Sequence, residues 1–143
     1  MTQSARDALR GAQWTLDEQV YGAARLNPGM AGEAVALVAG LDEPFYALLV
    51  DKDEVTLIAR LDQLTLAAQQ MTGMTPGETR FRLITLEIEF TLEVVGILAQ
   101  ITPALAEAGI PILALSAYSR DHFLVPDRFA GDAMRVLRAL AAE

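Results

Sequence analysis

Residues 80–126 read RFRLITLEIEFTLEVVGILAQITPALAEAGIPILALSAYSRDHFLVP, and a change of period within them decides the fold. Apolar Ile84, Leu86, Ile88 and Phe90 alternate with Thr85, Glu87 and Glu89, the period of two expected of a half-buried strand. Val94, Leu98, Ile101, Leu105 and Ala108 then recur at helical spacing, so one stripe of a helix is expected to face a core. Gly109 ends that helix, where a left-handed residue is wanted, and Pro111 prevents its resumption. Pro103 falls inside it and predicts a kink. ILALSAY and HFLV follow as two short strands around Ser119-Arg120. The order is β-α-β-β, the front of a ferredoxin-like unit.

Upstream, the same order returns more faintly. Val20–Leu26 reads as a strand closed by the turn cluster Asn27-Pro28-Gly29, and Met30–Ala39 as a short helix. Phe45–Val50 and Val55–Arg60 form a predicted hairpin around Asp51-Lys52-Asp53-Glu54. Leu61–Met71 has helical spacing at Leu61, Leu64, Ala68 and Met71. Thr72–Glu78, rich in breakers, reads as the linker. The fold class is therefore α+β: tandem ferredoxin-like units, antiparallel sheets with helices on one face. Residues 1–72 make a degenerate N-terminal unit and residues 79–143 the C-terminal one. Each half is short of the fourth strand of a complete βαββαβ unit. Strand exchange is the expected remedy, between halves or between subunits, with Trp14–Leu26 or Thr79–Phe90 as donor. The second half closes with a helix over Phe129–Ala142, Leu137 and Leu140 facing inward.

The chain has 143 residues and is 52% hydrophobic, enough to bury a large core with apolar surface to spare. That surplus and the missing strands point to a homodimer or higher oligomer. No apolar run approaches the roughly 20 residues of a membrane span, and the N-terminus lacks the apolar segment of a signal peptide, so a cytoplasmic protein with no membrane partner is expected. There are no cysteines, which excludes disulfides, thiolate metal sites and cysteine nucleophiles. A net charge of −8 with scattered arginines makes nucleic acid a poor partner.

Several residues suggest chemistry that their spacing then denies. Asp121 and His122 are adjacent in a predicted strand and point to opposite faces, so they cannot form the Asp–His pair of a hydrolytic triad. His122 is the only histidine, which removes a multi-histidine metal site. Glu87 and Glu89 share a solvated strand face. Glu18, Asp51, Asp53 and Glu54 read as surface charge, and the Asp51–Glu54 loop lacks the glycine and ligand spacing of a calcium loop. No catalytic, metal or cofactor site is expected. Gly96 is different: it opens the predicted helix, where free N–H groups and the helix dipole favour an anion. Two readings stand for it, an approach for a ligand carboxylate or simple helix–sheet contact.

The runs TLEVVGILAQI, ALAEAGI and LSAYSRDHFLVP resemble the ACT domains, small modules that bind amino acids and regulate metabolism. The resemblance is to two-unit ACT proteins of bacteria and to the cytosolic arginine-sensor proteins of eukaryotes, which carry a similar glycine-bearing turn and a strand motif S-T-x-x-x-D-[YH]-x-L-V. It covers the last 60 or so residues well. Ala117 stands where that family usually has Thr, and Arg120 where a polar residue is common. The resemblance implies a non-catalytic regulatory protein that binds a free amino acid. The ligand carboxylate would dock near Gly96 and its amine at Asp121. Leu92, Glu93, Val95 and Ile97 would shape the side-chain pocket, and Ser116 and Tyr118, sharing a strand face, would line it. The competing reading of Asp121 is a turn residue paired with Arg120 or Arg128. Two other functions are weighed. One is a ligand-free scaffold acting only in oligomerisation or protein–protein interaction. The other is an acylphosphatase-like enzyme, whose phosphate site wants an Arg and an Asn that the loop FTLEVVGI lacks.

Overall fold

The computed structural model describes residues 3–89 and 93–143. Its elements run α1 (Ala5–Leu9), β1 (Trp14–Leu26), α2 (Ala31–Ala39), β2 (Ala47–Val50), β3 (Val55–Arg60), α3 (Leu61–Gln70), β4 (Met74–Pro76), β5 (Phe81–Leu86), α4 (Ile97–Glu107), β6 (Leu113–Ser116), β7 (Asp121–Pro126) and α5 (Ala130–Ala141). Single 3-10 turns at Pro28–Met30 and Asp127–Phe129 lead into α2 and α5. The chain divides into two compact units, one built from Gln19–Arg80, the other from Phe81–Glu143 together with the N-terminal stretch up to Glu18.

In the unit 19–80 the strand order is β2-β3-β1-β4, every pairing antiparallel. Ala24 faces Leu57 of β3 on one side and Pro76 of β4 on the other. That is the fourth-first-third-second order of a complete βαββαβ unit. Its core comprises Ala24, Leu26, Val55, Leu57, Ala59 and Met74 from the sheet with Ala34, Val38, Leu64 and Ala67 from the helices. Gly22 permits this packing: a Cβ there would stand 2.9 Å from Leu61 Cδ1 and 3.1 Å from Leu64 Cδ1. At the hairpin tip, Asp51 Oδ1 accepts hydrogen bonds from the backbone N–H of Asp53 and Glu54 at 2.7 and 2.9 Å. These two donors hold the Asp51 carboxyl below the usual range, so this residue closes the loop.

The second unit repeats the design. Its order is β1-β5-β7-β6, with the Trp14–Glu18 half of β1 in the fourth-strand position. The backbone N–H of Glu87 donates to Gln13 O at 2.9 Å, and Arg82 donates through Nε and Nη2 to Asp17 O at 3.1 and 2.7 Å. Together they pin the donated strand to β5. Ile84, Leu86, Phe123 and Val125 point to the face covered by α4, α5 and α1, where Ile101, Leu105, Met134 and Leu137 complete the core. Leu83 and Leu124, cross-strand partners on the opposite face, are also buried.

The missing fourth strands are therefore corrected. Met74–Pro76, within the stretch read as linker, closes one unit, and the first half of β1 closes the other. The helix also begins later than its apolar pattern suggested. α4 starts at Ile97, and its buried ridge is Ile97, Ile101 and Leu105, while Leu98 and Ala108 are exposed. Gly109 ends it at φ 72°, as expected. Truncating the ridge separates the two phases. Ile101→Ala is expected to cost about 2–5 kcal/mol and Leu98→Ala about 0.5 kcal/mol or less, read as urea midpoints at constant m-value.

Candidate functional site

At one end of the second unit's sheet, β5 finishes, β7 begins and the chain enters α4. The register pairs Thr85 with His122, so Asp121 lies level with the end of β5. Residues alternate faces along a strand, so Asp121 shares the helix-covered face with Phe123 and Val125, while His122 points to the other. Asp121 is only 4% exposed. Among the described residues its carboxylate has no hydrogen-bonding or ion-pairing partner, so the competing reading, a pairing with Arg120 or Arg128, is not seen. Arg120 Nη2 instead meets Glu89 Oε1 at 3.0 Å, and the Arg128 guanidinium lies 4.8 Å from the ring centre of Phe129. A carboxylate on so largely buried a residue, with no partner among the described residues, is a candidate for a ligand contact.

The same end holds the start of α4. Gly96 is its N-cap at φ 93°, with no side-chain cap over the first turn. The N–H groups of that turn have no intrahelical acceptor. The glycine itself has a structural reason, a left-handed φ that side chains resist; a Cβ there would meet only Ala5 Cβ of α1, at 3.8 Å, an ordinary contact. Helix-sheet contact does not explain it; backbone conformation does.

The other expected site residues scatter. Leu92 lies outside the described residues. Glu93 is exposed and Val95 is 83% exposed, both on the approach to α4. Ile97 is a buried core residue of the α4 ridge, not a pocket wall, because the helix begins with its side chain already turned to the sheet. Ser116 ends β6 directly opposite Asp121 and so shares its face, although exposed at the sheet edge. Tyr118 does not share that strand face. It sits beyond β6, 93% exposed, in a turn closed by Ala117 N–H donating to Arg120 O at 2.8 Å. The structure thus brings Asp121, Ser116 and the backbone of the α4 start to one end and leaves the Ile97 and Tyr118 side chains out.

One residue of interest was missed from sequence. Trp14 is 8% exposed, its ring centre 6.2 Å from that of Phe123, and its indole Nε1 is buried with no hydrogen-bond partner among the described residues. Such an orphaned donor costs about 1–3 kcal/mol. Nothing local marks it, since the orphaning arises only when the donated strand docks.

On the opposite face, His122 Nδ1 and Thr85 Oγ1 are hydrogen-bonded at 2.8 Å. Burial pushes the imidazole below its ordinary 6.5, outweighing the Asp121 and Glu87 charges that act the other way. The unfolded chain then takes up the proton first on acidification, so His122 withdraws stability as pH falls through about 6.5 and adds nothing above it. His122→Gln is expected to flatten the stability profile between about pH 5 and 7, measured as urea midpoints; an unchanged slope refutes this. Among the described residues no three histidine or carboxylate groups converge as a metal ion would need.

With this geometry in view, comparison with known proteins places the second unit. Residues 78–139 match the ACT domain. The ACT match takes in β5, α4, β6, β7 and most of α5, and leaves out the strand carrying Trp14. No curated protein sequence matches the chain. Among solved structures, a Vibrio cholerae protein of unknown function, described as a possible transport protein, is 25% identical with a TM-score of 0.73, covering 94% of this chain and 93% of that one. An Agrobacterium tumefaciens protein is 22% identical with a TM-score of 0.71, over 91% of this chain and 89% of its own. The regulatory subunit of aspartate kinase from Thermus thermophilus, in its ligand-free form, has a TM-score of 0.66 at 14% identity, over 92% of this chain and 99% of that one. The last two likenesses are of fold. The ACT match over the second unit supports a regulatory role in binding a small molecule.

Proposed function

We propose that this is a non-catalytic regulatory protein that binds a free amino acid at the α4 start of its ACT-like unit. The observation that carries the reading is Asp121, a largely buried carboxylate without a partner among the described residues, at the end of the sheet where a helix N-terminus opens. An α-amino acid supplies the two missing complements, an ammonium for Asp121 and a carboxylate for the N–H groups after Gly96. Glu93 and Val95, exposed on the approach to α4, would line the path of the bound side chain. Glu93 would favour a basic ligand. The fold likeness to a regulatory subunit of aspartate kinase suits this role.

Residues 19–80 are read as a degenerate copy that keeps the architecture without the site. β3 and β7 hold the same topological place and share one burial pattern, yet β3 begins with Val55 where β7 begins with Asp121. One site per chain follows. Association into a homodimer or higher oligomer in the cytoplasm is part of the proposal, and light scattering tests it: a mass near 15.4 kDa at micromolar concentration refutes it.

The test of binding is a thermal-shift screen with the twenty common amino acids. If none moves the melting temperature at about 10 mM, well above the affinity floor for so small a ligand, the reading fails. The ligand-free scaffold then stands, and the backbone reason for Gly96 already suits it.

A further inference from the structure

We propose that Trp14 is a ligand-binding residue of this site, its indole N–H donating to the carboxylate of the bound amino acid; the assignment rests on the reading above and deepens it. Among the described residues on the helix-covered side of the second unit, the Trp14 Nε1 donor is buried with no hydrogen-bond partner, and Asp121, only 4% exposed, is a carboxylate with no hydrogen bond or ion pair to another described residue. They do not bond each other. Both belong to the same end of the sheet. Trp14 follows Gln13, whose carbonyl accepts from Glu87 N–H just past the end of β5, and Asp121 opens β7 at that level. The Trp14 ring reaches Phe123, two residues from Asp121 and on the same face.

A donor and an acceptor held apart at one place are complementary to a molecule bearing both an acceptor and a donor a few bonds apart. The zwitterion common to all α-amino acids is such a molecule, and its carboxylate has lone pairs enough for both the indole N–H and the α4 amides. Trp14 lies outside residues 78–139, so no feature of the ACT match assigns it. It arrives on the strand donated from the N-terminal stretch, which gives that strand a share in recognition as well as in closing the sheet.

The experiment has two arms on the intact chain, each run with the twenty amino acids titrated singly. Trp14 is the only tryptophan, so its emission reports on the indole alone. An amino acid that binds by calorimetry is expected to shift that emission saturably, with the same dissociation constant. In Trp14→Phe, which keeps an aromatic ring against Phe123, the same amino acid is expected to bind about 10- to 100-fold more weakly, as for loss of one hydrogen bond to a charged group. Emission that stays unchanged at saturation overturns the assignment and needs no variant to fold. An unaltered dissociation constant in a folded Trp14→Phe overturns it too. If all twenty are silent on the wild type by calorimetry, the amino-acid reading itself falls and takes this assignment with it.

Discussion

A polypeptide of residues 79–143 is expected not to fold on its own, although it carries nearly the whole ACT match. It lacks the Trp14–Glu18 strand, so β5 is left with an open edge and the core loses the Trp14 side chain. Removing a buried tryptophan alone costs about 3–5 kcal/mol, against a total stability of about 5–15 kcal/mol for a small domain. Rejoining the segments in a new order reverses the loss. Gly11 N–H donates to Ala141 O at 2.8 Å, so the end of α5 lies against the residues that lead into the donated strand. A permuted chain running 79–143 and then 11–18 through a short linker gives an uninterrupted βαββαβ order. It is expected to show a cooperative thermal transition by circular dichroism where the simple fragment shows none. A cooperative transition in the fragment alone, in a monomer, refutes the role of the donated strand.

The second large effect is a separation of stability from binding at Asp121. At a hundredfold excess over its dissociation constant, a bound amino acid stabilises the fold by about 2.7 kcal/mol, a rise in melting temperature of roughly 5–10 °C for a chain of this size. Asp121→Ala is expected to abolish most of that rise. Without ligand the same variant is expected to melt no lower than wild type, and up to a few degrees higher, because it removes a largely buried carboxylate with no partner among the described residues. A structural residue would behave in the opposite way on both measurements. If Asp121→Ala lowers the ligand-free melting temperature and keeps the ligand response, the site has been placed at the wrong group.

What the sequence made legible was whatever is written in local period. β5, β7, α5 and the Asp51–Glu54 hairpin follow from alternation, helical spacing and turn chemistry within a few residues of each other. α1 escaped because five residues give no periodicity, although Ser4 caps it by accepting from Asp7 N–H at 3.1 Å. β4 escaped because three residues in a breaker-rich stretch become a strand only by pairing with Ala24–Leu26. The phase of α4 was misjudged because Val94 continues the apolar pattern three residues before the helix begins. At the site, Asp121 and Gly96 were visible through a motif and a turn. Trp14 was not, since its place at the same end of the sheet as Asp121 depends on a pairing that spans about half the chain, and an unpaired donor leaves no trace in composition.

The shared strand also orders events in time. Trp14–Glu18 is synthesised more than 100 residues before the helix that abuts it is complete, roughly ten seconds at about 5–20 residues per second. During that interval residues 19–80 have every strand they need, while the leading half of β1 waits with an unsatisfied edge. The second unit therefore closes only after its final helix has left the ribosome, and contacts of such long sequence separation form slowly. A nascent chain of this design depends on the early unit to keep β1 extended and in register until its late partner arrives.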